Sequence, residues 1–183
     1  MNDSTENLLP AASIAGYDYG SADAARSPVT LGELRELEQS AGWTEEDAAT
    51  LRRHGAIFRD RDAEMVDAWR AAIAAQPHLA KWFFGPDGKP DEEYKAKVKA
   101  RFVQWVRDAC FRPRDRAWLD YQEEIGLRHT LLKKNQTDGA HTAPLVPLRY
   151  LYAFSAMVAA ISRRFFAEAG VTGTIVSAWR MRG

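Results

Sequence analysis

The chain has 183 residues, 46% of them apolar, with 25 acidic and 25 basic side chains. That length suits one domain with a sizeable core, and the zero formal charge leaves no global field to draw the chain to nucleic acid or to an acidic membrane surface. One cysteine, Cys110, excludes an internal disulfide and a Cys-rich metal site, which suits a reducing compartment.

Met1 to Pro10 is acidic and polar, without the basic start and apolar run of a signal peptide. Residues 1–29 hold little periodicity beyond an aromatic turn, Gly16-Tyr17-Asp18-Tyr19-Gly20. They read either as a disordered tail or as an extension laid across the domain, with the tyrosines as apolar bodies carrying polar tips. Thr30 with Glu33 forms a capping-box pattern and predicts a helix over 31–40 that buries Leu31, Leu34 and Leu37. Thr44 with Asp47 opens a second helix to about Arg59, and a third is predicted from about Asp62 to Ala75, where Met65, Val66, Trp69 and Ile73 form the buried stripe and Arg70 lies on its margin. Pro77 stops that helix. A short aromatic turn, His78 to Phe84, then runs into Gly85-Pro86-Asp87-Gly88.

Pro90 is placed for the first turn of a long helix to about Phe111, with Tyr94, Val98, Phe102, Trp105, Val106 and Ala109 at steps of three and four. A helix beginning near Arg114 places Trp118, Tyr121, Ile125, His129 and Leu132 on one face. A polar loop from Lys133 leads to Pro147, which starts the most apolar helix, to about Ala169. Its most apolar window, Leu151 to Ile161, is shorter than the ~20 residues a bilayer span needs. The sum is seven or eight helices and no sheet, an all-α chain expected to be cytoplasmic and to hold a ligand pocket between helices.

His129 is either a core histidine with a satisfied hydrogen bond or an axial ligand to a haem iron. No two histidines share a helical face, and there is no HExxH, so a single-histidine haem fits the pattern better than zinc does. Trp69, Phe83, Phe102 and Phe154 come from four segments and could line a flat apolar slot; Arg101 is a candidate cation for the propionates. Glu123-Glu124 reads as a solvated helix face, since a buried pair would need partners. Cys110 reads as a small semi-buried apolar residue rather than a nucleophile. There is no GxGxxG, Walker loop or GxSxG elbow.

Several stretches in order make the chain resemble the protoglobins, single-domain globins related to the sensor domains of globin-coupled sensors. They are Ile14 to Gly20, Phe84 to Gly88, Trp118 to Gln122 running through Ile125 to His129, Lys133 to Asn135 with Thr137 to Gly139, and Pro147 to Leu151. The resemblance implies a globin fold, a three-over-three helical sandwich over residues 30–183 with an extra N-terminal helix, and an extension, residues 1–29, that covers the haem. It implies haem b (iron protoporphyrin IX), with His129 as the proximal histidine, Trp69 and Phe102 as distal aromatics, Val98, Val146, Leu151 and Phe154 lining the porphyrin, and Arg101 near the propionates. The implied ligands are O2, CO and NO. The implied function is reversible binding of these gases, with no membrane or nucleic-acid partner. The alternatives are a gas-sensor module acting through a partner protein, or a haem enzyme with peroxidase-like or NO-dioxygenase activity.

Two departures stand out. Better-known members carry a tyrosine where this chain has Arg70. Its guanidinium either snorkels to solvent from the stripe margin or enters the pocket and stabilises charge on a bound ligand or anion. The family closes with a long final helix that helps form a homodimer. Ala178-Trp179 matches only the early part of it, so a shortened C-terminal helix is expected, and a homodimer stays a possible assembly that this shortening weakens.

Overall fold

The Thr30 side chain accepts from the backbone of Glu33, whose carboxylate accepts from Thr30 N in return, and this reciprocal cap starts α1 (Leu31–Ser40). Thr44 and Asp47 repeat the device at the start of α2 (Glu45–Ala74). The structure, a computed structural model, describes residues 14–171. Beyond α2 come α3 (Pro77–Ala80) with a 3-10 turn over Lys81–Phe83, α4 (Glu92–Phe111), α5 (Arg116–Leu127) and α6 (Leu148–Glu168). Among the described residues the only β feature is an isolated bridge between Phe84 and Pro90. The segment containing Ala178 and Trp179 lies outside the described residues.

Several boundaries differ from the sequence expectation for physical reasons. The two helices expected on either side of Asp60 run on as one span, α2, yet the break between them is present: Arg61 leaves helical geometry (φ −129°, ψ 18°) and kinks the chain there. Arg61 is held there by Glu64 at 2.7 Å and Glu168 at 2.9 Å, and its guanidinium stacks over Phe165. Pro90 precedes α4 rather than opening it; the cap is Asp91, whose carboxylate accepts from Tyr94 N. α1 buries no residue, and Leu37 lies exposed rather than in the core. Its leucine spacing is helical, but only Leu31 and Leu34 find a neighbouring surface, beside Trp43 and Arg114.

α2 is the spine. It packs along α4 on one side and α6 on the other, and the core between them is built on Phe58, Met65, Val66, Phe165 and Phe166. Phe58 meets Phe166 edge to face at 4.6 Å. Residues 14–29 lie against α4 and α5. Tyr17 is buried and its hydroxyl donates to Asp108 at 2.5 Å, while its ring meets Tyr121 edge-on. Ala25 N donates to Glu124, Ser27 N to Asp120, and Arg116 to the carbonyls of Ser27 and Val29. This extension is therefore anchored by carboxylates and guanidinia of α4 and α5, not by apolar periodicity of its own.

Candidate functional site

Helices α2, α4, α5 and α6 and the 3-10 turn over Lys81–Phe83 line a cavity of about 420 Å³. α5 supplies Tyr121 and Ile125, and just past its C-terminus comes His129. The helical stripe expected to run on to Leu132 ends at His129. The helix unwinds after Leu127, so Leu132 turns out to solvent. His129 N donates to the Gly126 carbonyl, and the His129 carbonyl accepts from Val146 N at 2.8 Å, which ties the end of α5 to the start of α6.

The imidazole of His129 places Nδ1 2.8 Å from the Ile125 carbonyl. A carbonyl only accepts, so Nδ1 carries the proton and, in the neutral ring, Nε2 keeps its lone pair. Burial pushes the imidazole pKa below the ordinary value. The Ile125 bond works against that, and the charges of Lys134 and Arg128 reinforce it. The ring is thus a neutral base with a fixed tautomer at the wall of the cavity.

Opposite sequence segments supply the apolar walls. Trp69 from α2, Phe83 from the 3-10 turn, Val98 and Phe102 from α4, Val146, and Leu151 and Phe154 from α6 all line this cavity. Trp69 meets Phe102 edge to face at 4.7 Å, and its indole Nε1 donates to the Phe154 carbonyl at 3.3 Å, which fixes the ring plane. Arg101 also lines it. Its guanidinium grips Asp138 with two bonds, of 2.9 and 2.6 Å, and donates to the Ala15 carbonyl. Arg70 is the exception. It lies outside this cavity and lines a neighbouring one between α2 and α4.

Among the lining groups not singled out from the sequence as site residues are Arg128, Lys134 and Tyr94. Arg128, next to the histidine, donates to the Gly16 carbonyl, Asp18 and Glu124. Lys134 stood in what read as a solvated loop, yet it is only 3% exposed. Its ammonium donates to the Trp82 carbonyl and Thr142 Oγ1 and faces the Tyr94 ring, and burial pulls its pKa down to about 8. Tyr94 is buried beside it, and desolvation raises its phenol to about 12. The Lys134 fold-back depends on Asn135, which donates to the Thr142 carbonyl and accepts from its hydroxyl. No local periodicity signals such a contact.

Glu124 corrects a further expectation. It is not a solvated face but 1% exposed, and it has the partners that burial requires: Ala25 N at 3.0 Å, Arg128 at 3.0 Å and Lys133 at 2.6 Å. Gly16 shows why the extension sits so close. Its φ is +71°, and a Cβ there would lie 2.9 Å from the Arg101 guanidinium and from Thr137.

The family model for protoglobin matches residues 30–178, most of the chain. The chain belongs to the protoglobin family. Among curated proteins, none matches it. Protoglobin membership makes this a globin-type haem protein of gas binding or sensing, and the all-α arrangement is consistent with that fold. The residues at the larger cavity fit the protoglobin cofactor. A neutral imidazole offers one nitrogen lone pair, aromatic and aliphatic side chains form the walls, and Arg101, Arg128 and Lys134 supply cations at the polar edge. Among the described residues no three His, Cys, Asp or Glu side chains cluster to hold a bare metal ion, and no helix is long and apolar enough to cross a membrane.

Proposed function

We propose that this protoglobin holds haem b in the cavity between α4, α5 and α6, with His129 as its protein ligand, and reversibly binds O2, CO and NO there. The observation that carries the reading is the Nδ1 hydrogen bond to the Ile125 carbonyl, which directs the unprotonated Nε2 away from the backbone of its own helix. When bound, haem supplies an iron with an open coordination position for a diatomic ligand.

The chain's own residues divide the remaining work. Ile125 O fixes the imidazole's tautomer and orientation. Trp69 and Phe102, the aromatics expected on the distal side, are locked with Phe154 by edge-to-face contacts and the indole hydrogen bond and would keep the surroundings of a bound gas apolar. That wall offers no general acid or base, which supports binding over catalytic turnover. Of the cations in the lining, Lys134 has no carboxylate partner among the described residues and would meet a propionate directly, while Arg101 and Arg128, already paired with Asp138 and with Asp18 and Glu124, would add positive potential beside it. Residues 14–29 act as a cover. Both arginines that reach into the cavity also hold this segment, at Ala15, Gly16 and Asp18.

Titration of the purified protein with haemin should saturate at one equivalent with a Soret band distinct from free haemin. Reduction and addition of CO should shift that band reversibly. A spectrum that tracks free haemin throughout would overturn the reading.

A further inference from the structure

The neighbouring cavity, about 310 Å³, lies between α2 and α4, and Arg70 opens onto it. Trp69, Phe83, Val98 and Phe102 line both cavities and so form the wall between them. The interior is apolar, with Ile73, Phe84 and Pro90 completing it. The charged groups in its lining are three cations, Arg70, Lys95 and Lys99, and one carboxylate, Asp67. Two of the cations are already neutralised. Lys99 pairs with Asp67 at 2.6 Å and Lys95 with Glu92 at 2.7 Å. Arg70 is different. Its nearest carboxylate among the described residues is the same Asp67, at 3.9 Å, and its side chain is only 28% exposed.

We infer that this cavity is a binding site for a small monocarboxylate with a compact apolar body, its carboxylate on Arg70 and its ring or branched chain among the aromatic side chains. The chemistry selects that class by elimination. An inorganic anion would satisfy Arg70 but leave the apolar depth unfilled. A neutral apolar guest would fill the depth but shield a guanidinium from water without a partner. A dianion would exceed the one cation that has no close carboxylate. The volume sits at the small end of ligand pockets, which run from roughly 300 to 1,000 Å³, so the guest is about the size of one substituted ring. A planar guanidinium receives a carboxylate through two parallel hydrogen bonds, which sets the guest's orientation. The site shares the wall of Trp69, Phe83, Val98 and Phe102 with the larger cavity, so binding is read in the haem-loaded protein as well as without haem.

The probe is benzoate, with benzamide as its neutral isostere, titrated calorimetrically into the haem-loaded protein; haem content is read separately from the Soret band. Benzoate should bind saturably at one site. Benzamide should bind about tenfold more weakly or worse, and Arg70→Ala should weaken benzoate by about tenfold to a hundredfold, with Arg70→Lys between. Ala74→Phe, which fills this cavity from a residue that does not line the other, should remove binding while melting like the parent. Absence of saturable benzoate binding, equal affinity for benzamide, an unchanged Arg70→Ala, or binding that persists in Ala74→Phe would each overturn the proposal. Failure to take up haem would count against the haem reading alone, because the same titration can be run on His129→Ala protein.

Discussion

Glu124 joins three parts of the molecule, and removing it should show how much the junction contributes. One carboxylate oxygen accepts from Arg128 beside the candidate ligand, and the other accepts from Ala25 in the N-terminal extension and from Lys133 in the following loop. Glu124→Ala leaves two cations and a backbone N–H without their acceptor. Removing one partner of a buried pair costs about 3–5 kcal/mol. Arg128 keeps Asp18 and the Gly16 carbonyl, and Lys133 is about one-third exposed, so the low end, about 3 kcal/mol, is expected. For a chain of this length that lowers Tm by about 6–12 °C. Glu124→Gln keeps an acceptor and should fall between. The pH dependence adds a second readout. Burial alone would raise the Glu124 pKa, but the bonds from Lys133, Ala25 and Arg128 outweigh it and hold the carboxyl below its ordinary 4.5. Its contribution is complete above pH 4.5 and is lost as pH falls through the lower folded value. The difference between parent and Glu124→Ala should therefore be constant at neutral pH and shrink below about 4.5. The assay is urea unfolding across pH at matched haem saturation, since bound ligand adds stability of its own. A loss under about 1 kcal/mol, or a difference that does not narrow in acid, would show that Glu124 does not hold this junction.

Other outcomes follow from the same contacts. Lys134 has a folded pKa near 8 against an ordinary 10.5, so the unfolded chain binds more protons between those values and stability should rise with pH there. Lys134→Met should flatten that rise in unfolding titrations from pH 8 to pH 10; an unchanged slope would count against the buried ammonium. Gly16→Ala forces a side chain into left-handed backbone and against Arg101, and should cost about 1–2 kcal/mol and speed hydrogen exchange at Tyr17 to Ser21 before it does so in the helices. Phe166→Ala removes a 1%-exposed ring from the α2–α6 core and should cost about 3–5 kcal/mol in denaturant unfolding.

The helices were legible because each carries its own boundary chemistry. Thr30 with Glu33, Thr44 with Asp47, and Pro77 mark ends that the structure keeps. Trp69, Phe83, Val98, Phe102, His129, Val146, Leu151 and Phe154 come together at one cavity because helical periodicity and family motifs both point inward there. Interactions that depend on chain paths between helices were not legible. Glu124 and Lys134 are charged and read as solvated, Arg128 drew no reading of its own, and the withdrawal of all three from solvent follows from how the extension and the loop after α5 fold back. Arg70 is one position from Trp69, but a helix turns about 100° between neighbours. Trp69 therefore lines both cavities while Arg70 lines only the smaller of the two. The break at Arg61 was legible, since the stripe ending near Arg59 and the one beginning near Asp62 flank the non-helical residue within α2.

Everything proposed for the cavity turns on His129 as the haem ligand. The most direct measurement is the UV–visible spectrum of haem-loaded His129→Gly beside the parent, without and with added imidazole. With His129 as the ligand, the variant shows an altered or lost Soret band that returns toward the parent spectrum when imidazole occupies the vacated side-chain volume. A variant that retains haem with the parent's spectrum and CO response, and ignores imidazole, would contradict it.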